Sequence, residues 1–220
     1  MAEKTEICNT PVAVLFARAY SNYRAIPGCD VWDIERDARK WPGGCPVIAH
    51  PPCRAWGQLQ RWAKPRPDEK DLALYAVEQV RKYGGVLEHP NRSTLWLVAG
   101  LPEPVKRDAW DGWTLPIHQH WWGHRAEKKT RLYIVGCEPR DIPVMPLRID
   151  EPTHTIGLWS GRKANHRPDL PKAEREHTPP ELAAWLYALA ARCVVGHNAQ
   201  VKAASVSESG LEPLVGQREE

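Results

Sequence analysis

The sequence predicts an α/β fold built on a mainly parallel, Rossmann-like sheet with flanking helices. Three observations carry this. Residues 47–89 read strand, loop, helix, strand, which is one βαβ unit. Two strand-like runs precede it, the β-branched, apolar VAVLFA at 12–17 and the short CDVWD at 29–33. A further strand, RLYIVGC at 131–137, and a closing apolar helix, ELAAWLYALAARC at 181–193, follow it. At 220 residues the chain fits one α/β domain, assigned here to 1–195, with a disordered tail over 196–220 where periodicity is lost.

Each element has a local cause. VAVLFA is continuous and apolar, as a strand buried on both faces requires. Turn signals at Pro27-Gly28 and Pro42-Gly43-Gly44 bracket the second strand. PVIAH at 46–50 is the third strand, and Pro51-Pro52 stops it because proline cannot donate to the ladder. Residues 67–83 are the clearest helix: Pro67 and Asp68 open it, Leu72, Ala73, Ala76, Val77, Val80 and Tyr83 share a face, and Gly84-Gly85 end it. The strand GVLEH follows at 85–89. Residues 91–120, rich in proline and tryptophan, carry no assignable element, and 138–177 read as an irregular, basic, DNA-contacting region. Thr178 is the expected N-cap of the last helix, with proline in its first turn.

Composition narrows the function. No apolar run approaches the roughly 20 residues of a membrane span, and MAEKTEICNT is not an export signal. The expected location is therefore cytoplasmic, with no membrane partner. Six cysteines without tight spacing read as free thiols, and no CxxC or cysteine-histidine cluster predicts a metal. A formal net charge of +3 neither demands nor opposes a nucleic-acid partner. Eleven tryptophans against one phenylalanine offer flat rings, mostly for core and rim, some for base stacking.

Three short motifs stand in order at strand ends: Pro51-Pro52-Cys53, Leu87-Glu88-His89-Pro90, and the run from Trp122 to Gly136. In a parallel sheet the carboxyl ends of neighbouring strands share a crevice, so Cys53 and Glu88 can meet. A thiolate adding to C6 of a pyrimidine makes C5 nucleophilic. A carboxyl on N3 and the exocyclic amine, and a cation near O2, favour that addition. Cys53, Glu88 and Arg131 are the candidates for these roles.

The motifs PPCRAWG, VLEHP and HWWGHRAEKKTRLYIVG resemble those of the DNA cytosine-5 methyltransferases, in order and rough spacing over 47–136, and TPPELAAWLYALA is similar to the last helix of small phage-type members. The resemblance implies a DNA substrate with its target base flipped out, S-adenosylmethionine as donor, and a bacterial host cell if the chain is phage-encoded. It places Arg131 at the family's second motif arginine, with Lys129 replacing the first, Glu127 replacing the glutamine and His89 the asparagine after the glutamate. For the cofactor it implies Phe16 after the first strand, Asp33 or Glu35 on the ribose hydroxyls, and Asp37 near the adenine. Arg54, Arg125, Lys128 and Lys129 are candidate DNA contacts, as are Arg162, Lys163 and Arg167, although such runs are equally solvated charge. The glycine loop that cradles the donor is missing after VAVLFA, and the cofactor half is compressed. Two other readings therefore stay open: pyrimidine C5 chemistry with another donor or on a free nucleotide, and a catalytically silent DNA-binding relative.

Overall fold

In the computed structural model, which describes residues 10–58, 60–156 and 167–194, six strands form one sheet. They are Val12–Leu15 (β1), Cys29–Trp32 (β2), Val47–Ala49 (β3), Gly85–Pro90 (β4), Trp113–His118 (β5) and Lys129–Val135 (β6), in the order β2-β1-β3-β4-β6-β5. β2, β1, β3 and β4 are mutually parallel. β6 runs antiparallel to β4, and β5 antiparallel to β6. The sheet is thus mixed but mostly parallel, and its strand order reverses between β1 and β3, the position where ligand crevices open in such sheets.

Side-chain alternation divides the sheet between two helical layers. Ala13, Leu15, Val47, Ala49, Leu87, Tyr133 and Val135 pack on the face of Glu69–Tyr83 (α1). Val12, Val14, Ile48, Val86, Leu132 and Ile134 pack on the face of Pro180–Ala190 (α4). Both faces being covered, the strands read as apolar runs rather than alternating ones. α1 buries Leu72, Ala73, Ala76, Val77 and Val80, with Glu69 and Asp71 in its first turn and Arg81 and Lys82 in its last, matching the helix dipole. α4 starts at Pro180 without a side-chain cap, so Thr178 is not its N-cap; the Thr178 carbonyl instead accepts a hydrogen bond from Asn22 Nδ2 at 2.7 Å.

The segment 91–120 holds more order than its composition suggests: a helical turn, Leu95–Val98 (α2), and edge strand β5. The described residues 138–156 and 167–177 are largely irregular, with a 3-10 turn at Pro139–Asp141 and a helical turn, Lys172–Arg175 (α3). The expected tail at 196–220 lies outside the described residues. Among the described residues no helix is long and apolar enough to cross a membrane.

Gly85 joins α1 to β4 with φ of +119°, and a Cβ there would run into the Val47 backbone. Gly85→Ala is expected to lower stability by at least about 2 kcal/mol, or roughly 4–8 °C in a thermal melt.

Candidate active site

Cys53 is aimed by the way β3 ends. The last ladder bond at this end runs from His50 N to Leu15 O at 3.0 Å. Pro51 and Pro52 then offer no amide hydrogen, and pairing stops. The Cys53 carbonyl accepts from Trp56 N at 3.1 Å and Gly57 N at 2.8 Å, closing a tight turn. Trp56, only 1% exposed, anchors that turn, and its carbonyl accepts from Thr94 N at 3.0 Å beyond β4. The loop carrying Cys53 is therefore fastened at both sides, while Cys53 itself stays exposed.

Glu88 arrives by register. Ile48 pairs with Val86 on the α4 face, so His50 and Glu88, two residues further on, share that face at the carboxyl ends of β3 and β4. His50 Nδ1 lies 3.0 Å from Glu88 Oε2, and Gln119 Nε2 donates to Glu88 Oε1 at 3.0 Å. Behind them, Tyr23 OH lies 2.9 Å from His50 Nε2. Burial by itself would raise the Glu88 carboxyl; the His50 hydrogen bond and the Lys128 charge outweigh it and hold the group down at about 2. Cys53 feels the same field. Although it reaches solvent, the protein around it withholds enough water to raise its thiol, Glu88 raises it further, and Lys128 opposes both. The carboxylate of Glu88 and the ammonium of Lys128 thus both act on the Cys53 thiol at one end of the sheet.

Arg131 is not part of this group. It pairs with His89 across β4 and β6, which puts it on the α1 face, opposite Glu88. There Arg131 Nε donates to Asn91 Oδ1 at 2.7 Å, its Nη1 reaches Glu103 Oε2 at 3.2 Å, and its guanidinium lies over Trp96 at 5.7 Å. The cation whose charge acts on both Cys53 and Glu88 is Lys128, which the sequence offered as a DNA contact or solvated charge. Among the described residues the Lys128 ammonium has no ion pair.

Of the residues expected to hold S-adenosylmethionine, Asp33, Asp37 and Phe16 are engaged within the protein. Asp33 is buried and its carboxylate is spent on its own loop: Oδ1 accepts from the backbone of Glu35 and Arg36, both at 3.1 Å, and Oδ2 from Arg24. Asp37 accepts from the Arg39 backbone and side chain. Phe16, at φ +62°, turns edge-on to Tyr75, and Tyr23 is buried beside the β1–β3 reversal. Only Glu35 remains exposed without a partner among the described residues.

The expected DNA contacts are mostly neutralised. Arg54 pairs with buried Glu69, Arg125 with Glu174, Lys129 with Glu127 and Arg167 with Glu151. Arg162 and Lys163 lie outside the described residues. Sequence reading counted Trp62 only among the tryptophans beside charged residues that could stack on a base. Beyond Cys53 the same loop presents Trp62, 72% exposed, under the Arg61 guanidinium, with Lys64 two residues on. Sequence reading missed His50, Tyr23 and Gln119. The signal for His50 was parity: it follows Ile48 by two residues as Glu88 follows Val86. Tyr23 and Gln119 had no sequence signal.

No family model, curated protein or solved structure matches this chain. Among the described residues no group of three or more histidine, cysteine, aspartate or glutamate side chains is placed to hold a metal ion.

His89, fully buried on the other face, is lowered from 6.5 to about 4 by desolvation, against the pull of Glu88. The unfolded chain therefore binds more protons than the folded one as pH falls from 6.5 to 4 through His89, and from 4.5 to 2 through Glu88. Stability is expected to fall with pH across both windows. His89→Leu should remove the upper part, worth roughly 2–3 kcal/mol, as read from urea midpoints at pH about 7 and about 4.5.

Proposed function

We propose that this chain is an enzyme that activates C5 of a cytosine in DNA for group transfer. The observation that carries the reading is the placement of Cys53 and Glu88 at the carboxyl ends of adjacent parallel strands, where the Glu88 charge reaches the Cys53 thiol. In this scheme the Cys53 thiolate forms a bond to C6, and the C5–C6 π electrons shift toward N3. Glu88 binds N3 and the exocyclic amine. Lys128 takes the role the sequence gave to Arg131, steadying charge at O2. The enamine carbon C5 then attacks an electrophile, H5 leaves, and the thiolate is expelled. The target base has to leave its stack to reach Cys53, and Trp62 with Arg61 and Lys64 offers a stacking and phosphate-binding surface beside it.

The spent carboxylates of Asp33 and Asp37 favour a donor other than S-adenosylmethionine, or a DNA-binding role without transfer, and no step is assigned to that donor.

The test traps the adduct. DNA carrying 2-pyrimidinone, or 5-fluorocytosine with and without S-adenosylmethionine, is incubated with the protein and resolved by denaturing gel and intact mass. A covalent adduct lost in Cys53→Ala and reduced at least about 100-fold in rate in Glu88→Ala supports the reading. DNA binding with no adduct on any probe contradicts it and leaves the silent binder.

A further inference from the structure

The reaction proposed above asks two opposite things of Glu88. In the resting protein it is a carboxylate, hydrogen-bonded by His50 and Gln119. When Cys53 adds to C6, the electron pair arriving at N3 needs a proton, and a carboxylate has none to give. The protein has to supply one to Glu88 from behind.

A single chain of contacts leads there. Glu88 Oε2 lies 3.0 Å from His50 Nδ1, and His50 Nε2 lies 2.9 Å from Tyr23 OH. The three side chains sit on the same face of the sheet, away from His89. Tyr23 is buried, and its phenol is held well above its ordinary value by desolvation and by Glu88, so it stays protonated. A phenol that keeps its proton can accept a hydrogen bond from an imidazolium Nε2–H or donate one to a bare Nε2. It therefore suits both states of His50 without reacting. The other titratable groups around this chain of contacts are Lys128, ahead of β6, Cys53, beyond β3, Cys29, opening β2 near Tyr23, and His89, next to Glu88 in the sequence.

We propose that His50, oriented by Tyr23, supplies the proton that Glu88 passes to N3 of the pyrimidine. The inference rests on the pyrimidine reading of the site. The imidazolium gives its Nδ1 proton to Glu88 Oε2, leaving neutral His50 with Nε2–H on the Tyr23 oxygen. Glu88, now a carboxylic acid, protonates N3 as the Sγ–C6 bond forms. When C5 has reacted and the thiolate leaves, N3 returns the proton to Glu88 and on to His50, so no proton is consumed. His50 acts through Glu88 and is a positioning and proton-supplying residue.

The test is exchange of cytosine H5 for deuterium in D2O, catalysed by the full chain on single- and double-stranded oligonucleotides and read by nucleoside mass. It needs thiolate addition, N3 protonation and C5 deuteration, but no donor. The wild-type rate is expected to be bell-shaped in pH, rising as Cys53 ionises and falling as the proton held between Tyr23 and Glu88 is lost. His50→Gln keeps a hydrogen-bond donor toward Glu88 but has no proton to give; its falling limb should vanish and its maximum drop roughly 100-fold. Tyr23→Phe keeps the imidazole and changes its partner, so its falling limb should move. Wild-type limbs in both variants, or a uniform drop with the limbs unmoved, overturn the relay while leaving the pyrimidine reading intact. No exchange by the wild type on any oligonucleotide overturns that reading, and the relay with it.

Discussion

A carboxylate stays ionised inside a protein only where other groups replace its water. Glu88 is that carboxylate, and the end of the sheet is arranged around it. His50 and Gln119 each bond one of its oxygens, Lys128 adds a positive charge, and Tyr23 backs His50. Each comes from a different place in the chain. His50 follows β3, Tyr23 lies in the turn after β1, Gln119 follows β5, and Lys128 precedes β6. Keeping Glu88 charged therefore requires the whole strand order to be in place. Burial first, and then the same charge, raise both the thiol of Cys53 and the phenol of Tyr23.

The two faces of the sheet divide the polar residues near this end. The α4 face carries His50 and Glu88. The α1 face carries His89 and Arg131, with Arg131 fixed by Asn91 and Glu103 over Trp96. Trp96 Nε1 in turn donates to Pro90 O at 2.8 Å, closing the end of β4 against α2. This second cluster braces the strand that bears Glu88. The prolines before Cys53 act in a comparable way on β3. They end its pairing just past His50, and the turn held by Trp56 carries the thiol beyond the sheet edge.

The elements most legible in the sequence were those with a strong period or an unambiguous stop. The face of α1 and the Pro51-Pro52 break are of this kind, and β3 and β4 pair as parallel strands as the βαβ reading required. β5 was hidden because Pro116 lies inside it. Proline is tolerated there because β5 is the edge of the sheet and one side of its backbone needs no partner. The direction of β6 was not legible, since side-chain alternation is the same in parallel and antiparallel strands. Arg131 was placed beside Glu88 by the motif it resembles, and the register of β6 decides otherwise. The register partner of Arg131 is His89, one residue from Glu88 and on the opposite face. Lys128 precedes the strand and is free of that constraint. Asp33 carried the right chemistry for a ribose contact, but the loop that follows it folds back onto its carboxylate.

The central claim is that Cys53 and Glu88 share one electrostatic site with Lys128. It is tested most directly by the pH dependence of alkylation of the Cys53-containing peptide by iodoacetamide, followed by mass spectrometry in the wild type, Glu88→Gln and Lys128→Met. Removing the Glu88 charge should shift the Cys53 thiol to react at lower pH, and removing the Lys128 charge should shift it to higher pH. Three superimposable profiles would mean that the thiol does not feel either group, and would contradict the account.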